Sequence, residues 1–178
     1  MKREYFSYLY LLAVGLLLGV LQSGLFFLLT FTLSSGFTTY LLITLCWLIG
    51  GVIGTIYVKI STVSIHSLLV IMVLAYALCI WVVNINQFDT NLWPLYGFLI
   101  SLAGLYPGVF FARTSKFIPA RTLFFWENNG FILGLVTSGL IFMLFGRGSL
   151  LVLTIALVLV VWYLHPQRLS PTKRSFTI

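Results

Sequence analysis

Residues 120–145 read ARTLFFWENNGFILGLVTSGLIFMLF, and the fold follows from how this stretch is understood. At about 1.5 Å of rise per residue, a helix of this length crosses a hydrocarbon core about 30 Å thick with tilt to spare. Polar residues stand early in it: Arg121, then Trp126-Glu127-Asn128-Asn129, which puts Glu127 about 9 Å deeper than Arg121 along the axis. A carboxylate at that depth costs on the order of a few kcal/mol against lipid, so it is expected to face protein, water or a partner. Gly130 and Gly134 follow at four-residue spacing and lead to Ser138, a small-residue stripe that lets a second backbone approach closely. One segment thus carries a candidate polar site and a candidate packing face.

Composition places the whole chain in the same class. It has 178 residues, of which 61% are hydrophobic and only 7% charged. Soluble domains carry about 25% charged residues, so the chain reads as a polytopic membrane protein, all-α, with one transmembrane domain over 1–165 and a basic tail over 166–178. The net charge of +7 sits in loops and tails, where it reports topology and contact with anionic headgroups. Nucleic acid is not an expected partner, because no basic groove with interleaved aromatics lies outside the membrane segments. Cys46 and Cys79 lie in apolar runs without metal-ligand or redox spacing. The start, Lys2-Arg3 before a long apolar run, resembles a signal peptide but lacks a small-x-small cleavage site, so a retained helix is expected.

In chain order, six helices are expected, over about 5–33, 38–58, 66–83, 94–112, 120–145 and 150–164. Tyr5, Phe6, Tyr8 and Tyr10 form an interfacial aromatic cluster, and Gly15, Gly19, Gln22 and Ser23 share a face of the first helix. Gly50 and Gly54 mark a packing face on the second, and Gly97, Ser101, Gly104 and Gly108 form a small-residue ridge on the fourth, which Pro107 is expected to kink. The third and sixth lack such features and read as largely lipid-facing. Tight turns are expected at Ser34-Ser35-Gly36 and at Gly146-Arg147-Gly148-Ser149, and a polar loop at 84–91.

Nine of the ten Lys/Arg fall on one side of this arrangement, including the basic loop residues Arg113, Lys116 and Arg121; Arg147 alone falls on the other. That asymmetry predicts both termini in the cytoplasm, in a plasma membrane of prokaryotic type. The distribution of glycine and polar residues divides the six helices into two triplets of opposite entry, a 3+3 inverted repeat of the kind that builds each half of major-facilitator transporters.

A family resemblance rests on three segments. GVLQSGLFFLLTFTLSSGFTTYLLITLCWLIGGVIGT (19–55) resembles the opening of the membrane domain of spermidine-synthase-like membrane proteins, GLYPGVFF (104–111) resembles their fourth helix, and FFWENNGFILGLVTSG (124–139) resembles their fifth. The matching positions are Gln22, Gly36, Gly50, Gly54, Gly104, Pro107, Asn129, Gly130 and Gly134. The resemblance implies a helical membrane module. In that family the helices are often followed by an aminopropyltransferase-like domain; this chain has Asp89 as its only aspartate and no Gly-rich nucleotide loop, so the transferase chemistry is not expected here.

Gln22, Glu127, Asn128 and Asn129 are the candidate intramembrane polar site. The functional reading is a cation- or proton-responsive carboxylate with amide neighbours. The plainer one is an ion pair with Arg113, Lys116 or Arg121 at the rim. His66 and His165 stand near helix ends on the same side and are expected to make helix-end or headgroup contacts rather than to hold a haem. No serine has a nucleophile's context, and no catalytic residues, metal site or cofactor are expected. Two functions follow from the sequence: a non-catalytic accessory or structural subunit that docks on other membrane subunits, or on itself, through its glycine faces; or a small-solute or cation-coupled transporter built as a homodimer of six-helix halves.

Overall fold

The computed structural model describes residues 2–33, 36–60 and 64–165, with side chains from Tyr8 onward in the first helix. The turn residues Ser34 and Ser35, residues 61–63, the aromatic side chains of Tyr5 and Phe6, and the tail 166–178 lie outside the described residues. Among the described residues six α-helices follow one another: α1 Lys2–Thr32, α2 Phe37–Ile60, α3 Ile65–Ile85, α4 Trp93–Thr114, α5 Ala120–Phe145 and α6 Arg147–Leu164, with a 3-10 turn at Thr90–Leu92 before α4. Each is long and apolar enough to cross a membrane.

Local chemistry sets the ends. Ser64 caps α3 by accepting from His66 N, and Asp89 caps the 3-10 turn by accepting from Asn91 N at 2.9 Å. Phe88 adopts a positive φ of 64°, and its N–H donates to Thr32 O at 3.0 Å, which ties the loop to the end of α1. The expected four-residue turn before α6 contracts to a single residue. Gly146, at φ 77°, reverses the chain alone, a conformation that favours glycine, so Arg147 already starts the helix.

Two parallel seams organise the bundle. Along α1 and α5, Gly19 lies against Gly134, Gly130 against Leu12 and Leu16, and Gly15 against the backbone of Glu127 and Phe131. The Ser23 and Ser138 hydroxyls hydrogen-bond to each other two turns further on. Along α2 and α4, Gly50 lies against Ser101 and Gly104, Gly54 against Leu105, and Gly108 against Gly51. Ser101 Oγ donates to Cys46 O at 3.0 Å across this second seam. With no side chain between them, backbones approach closely enough for dispersion to hold helices that gain nothing from hydrophobicity in lipid.

Exchanging α1, α2, α3 with α4, α5, α6 turns the first seam into the second, and turns the α1–α6 contact into α4–α3. Tyr10, early in α1, meets Phe110, late in α4, so the exchanged helices run in opposite directions. The repeat is visible in sequence once aligned this way: GLLLGV at 15–20 answers GLYPGV at 104–109. Together these are the relations of an inverted 3+3 arrangement.

Burial departs from the sequence reading in one respect. α3, expected to face lipid over much of its surface, has 44% of its apolar 18-residue stretch buried, against 22% for that of α2 and 17% for that of α5. Leu68, Leu69, Met72, Tyr76 and Cys79 of α3 enter the common core with α1 and α4. A glycine seam is narrow, so a helix held by one leaves most of its circumference to lipid; bulky apolar faces bury more.

Candidate functional site

Glu127 lies on the seam face of α5, in line with Leu123, Gly130, Gly134 and Ser138, and is only 5% exposed. Its level on α1 is that of Leu12 to Gly15, beside Tyr8, whose ring stacks on Trp126 at 5.3 Å. Among the described residues its carboxyl forms no ion pair. The rim pairing weighed from sequence, with Arg113, Lys116 or Arg121, is therefore not formed. Arg121 is exposed and lines a shallow groove with Tyr8, Thr122, Phe125 and Trp126.

The other three members of the candidate polar site do not gather around Glu127. Gln22 is half-buried on α1, next to Ser23, whose partner is Ser138. That register puts Gln22 roughly 15 Å along the bundle from Glu127. Asn128 and Asn129 point outward and are exposed. The Asn129 amide donates to Phe125 O of its own helix at 2.6 Å. Asn128 makes no hydrogen bond among the described residues. The cause is angular: successive helical residues differ by about 100°, so only one of three neighbours can face the seam. The eight glycines of the expected packing faces are likewise placed: Gly15, Gly19, Gly130 and Gly134 in one seam, Gly50, Gly54, Gly104 and Gly108 in the other. They close the chain on itself, and so are not available to a partner, which corrects the expectation that docking uses them.

A second cluster forms at the end of the bundle that carries Lys59, Arg113, Lys116 and Arg121. His66 from the start of α3 and His165 from the end of α6 meet edge to face, with ring centroids 4.8 Å apart. His165 Nδ1 shares a hydrogen bond with the Tyr10 hydroxyl of α1 at 3.2 Å. His66 also lies 4.5 Å from the Trp162 ring, and its Nδ1 is buried without a hydrogen-bond partner. A cleft of about 320 Å³ opens here, lined by Tyr10, Ile65, Arg113, Thr114, Phe117, Lys116 and His165. Burial, together with the neighbouring His66 and Arg113, lowers the His165 pKa below its ordinary 6.5. The sequence put both histidines at helix ends on the same side, but only the α1–α6 and α3–α6 packing brings them together; no spacing in the chain signals it.

Fold and burial define an all-α integral membrane protein whose described residues hold six candidate spans around an apolar core. No family model, curated protein or solved structure matches the chain.

Proposed function

We propose that the chain is a non-catalytic accessory or structural subunit of a larger membrane assembly, docking through the outward face of α5. The observation that carries this reading is the exposure of Asn128 and Asn129 within a candidate span. Asn128 lies roughly 12 Å along α5 from its first residue, at a depth where water is scarce. Its amide offers two donors and an acceptor. Left against hydrocarbon, such groups are costly; a neighbouring helix that supplies Ser, Thr, Asn or Gln satisfies them, at about 0.6–2 kcal/mol per interhelical hydrogen bond. The glycine seams are closed internally, so they do not compete for this role. In this reading the basic end faces the cytoplasm of a prokaryotic plasma membrane. The resemblance to spermidine-synthase-like proteins concerns the membrane module alone.

Photo-crosslinking in the membrane tests the docking face. A crosslinker at Asn128 or at exposed Ile132, one turn on, is expected to capture a partner helix, and one at exposed Val152 of α6 is not. Equal capture from both helices, or none from α5, contradicts the assignment.

The inverted arrangement specifically favours a second reading, a transporter assembled from two copies of this six-helix unit. Against it, α1 and α4, which would line such a pathway, meet through the large buried side chains of Tyr10, Tyr106 and Phe110.

A further inference from the structure

α2 and α5 hold equivalent places in the inverted repeat, and their outer faces differ at one point. Gly15 of α1 lies against the Glu127 carbonyl oxygen of α5, and its counterpart Gly104 of α4 lies against the Trp47 carbonyl oxygen of α2. One turn on, Gly19 meets Phe131 O and Gly108 meets Gly51 O. These contacts align WLIGGVIG (47–54) with ENNGFILG (127–134), glycine on glycine at 50 and 130 and again at 54 and 134. Leu48 and Ile49 then stand where α5 has Asn128 and Asn129, and all four are exposed. The outer face of α2 is ordinary lipid-facing sequence. α5, laid out on the same pattern, carries two amides in its place.

Asn129 spends its amide nitrogen on Phe125 O of its own helix. Asn128 makes no hydrogen bond among the described residues, which leaves two donors and an acceptor open. Lipid chains cannot satisfy them. Phe125, Ile132 and Val136 stand on the same side of α5, all exposed. From Phe125 the stripe advances by three, four and four residues, the spacing that follows a parallel helix alongside.

The occupant of this face must bring a polar group to the depth of Asn128 on an otherwise apolar helix. A second copy brings it by construction. Copies in one membrane share an orientation, so a two-fold axis along the membrane normal sets α5 beside α5 in parallel, with Asn128 level with Asn128. An amide is complementary to itself, because each can donate to the oxygen of the other. One polar residue in an apolar stripe also fixes the register of the pair. Arg121, seven residues before Asn128 on the same side, falls in the first turn of α5. Its long side chain can carry the charge out to hydrated headgroups instead of leaving two guanidiniums between the helices. Resting on α5 as the docking face, we propose that the partner seated there is a second copy of this chain. The two copies form a two-fold dimer along Phe125, Asn128, Ile132 and Val136, with an Asn128 pair at its centre.

The test places a photo-crosslinker at Ile132 or at Val52 in the full chain, co-expressed in cells as two differently tagged copies. The two positions are equivalent in the repeat and equally exposed, at 58% and 60%. Ile132 is expected to give a product that carries both tags at twice the mass of one chain, and Val52 is expected to give none. A product from Ile132 that joins one tagged chain to a different protein overturns the dimer and leaves α5 a docking face. No product from Ile132 overturns the dimer and the docking face together. Double-tagged product in equal yield from Val52 marks random encounter and overturns the dimer. Asn128→Leu gives α5 the residue that α2 carries at the equivalent place, at an exposed position that does not endanger folding. It is expected to weaken dimerisation of the purified chain in lipid vesicles roughly tenfold, through the loss of two reciprocal interhelical hydrogen bonds. Unchanged dimerisation in this variant overturns the asparagine pair.

Discussion

Replacing Gly134 by alanine tests the seam on which the fold depends. The added methyl would fall 3.0 Å from Gly19 Cα and 3.0 Å from Val20 N, and closer still to the Leu16 carbonyl oxygen. Ordinary contacts of this kind lie at about 3.5–4.0 Å, so α1 and α5 must separate by roughly 0.5–1 Å. All three obstructing groups are backbone, so no rotamer change relieves the clash. A gap of that size forfeits roughly a quarter to a half of the dispersion energy of the contacts it opens, and overpacking of this sort costs about 1–3 kcal/mol. Alanine also gains about 1 kcal/mol of helix propensity over glycine, which would mask part of the loss. Gly139→Ala on the same helix supplies the control, since its methyl would meet nothing within 4 Å. The difference between the two variants cancels the propensity term and leaves the steric one. Reversible unfolding in mixed micelles is expected to find Gly134→Ala less stable than Gly139→Ala by about 1–3 kcal/mol. Two variants within about 0.5 kcal/mol of each other would refute the reasoning.

Three further outcomes follow. Single cysteines at exposed Gln87 and Arg147 are expected to react with an impermeant reagent added outside intact cells, and one at exposed Ser115 is not; the reverse pattern would invert the topology. The His165 pKa is lowered in the folded state, so the stability it contributes is complete above its unfolded value near 6.5 and is lost as pH falls below that value toward the folded one. The unfolding midpoint should therefore drop on acidification, and His165→Gln should flatten that part of the profile; an unchanged slope would remove His165 as its source. Glu127→Gln, which keeps a polar side chain of the same shape, is expected to leave both the fold and proteoliposome cation flux unchanged. Cation uptake that depends on Glu127 would establish the transport reading instead.

Much of the architecture was legible because a membrane constrains backbone so strongly. Continuous apolar stretches placed six helices, and α5 runs from Ala120 to Phe145, the bounds read from its sequence. Close approach was also legible, since glycine at four-residue spacing has few other uses in a span. What glycine could not reveal is which helix sits opposite: the same pattern serves an internal seam or an external partner, and here it serves the internal one. Amount of burial was misread for the same reason, with α3 more enclosed than α2 or α5. The candidate polar site failed as a group because adjacency along a helix scatters side chains around it, sending Glu127 inward and Asn128 outward. The meeting of Tyr10, His66 and His165 joins residues from three helices and depends on tertiary packing alone.

The proposal that this protein works as part of an assembly is tested most directly by the mass of the particle in its own membrane. Extraction into polymer-bounded nanodiscs without detergent, followed by native mass spectrometry, reads that mass beside the 20.1 kDa of one chain. The account predicts a defined complex heavier than one chain, which Asn128→Leu with Asn129→Leu dissociates while the released chain remains folded. A wild-type particle that contains a single chain, or a complex indifferent to both asparagines, would contradict it.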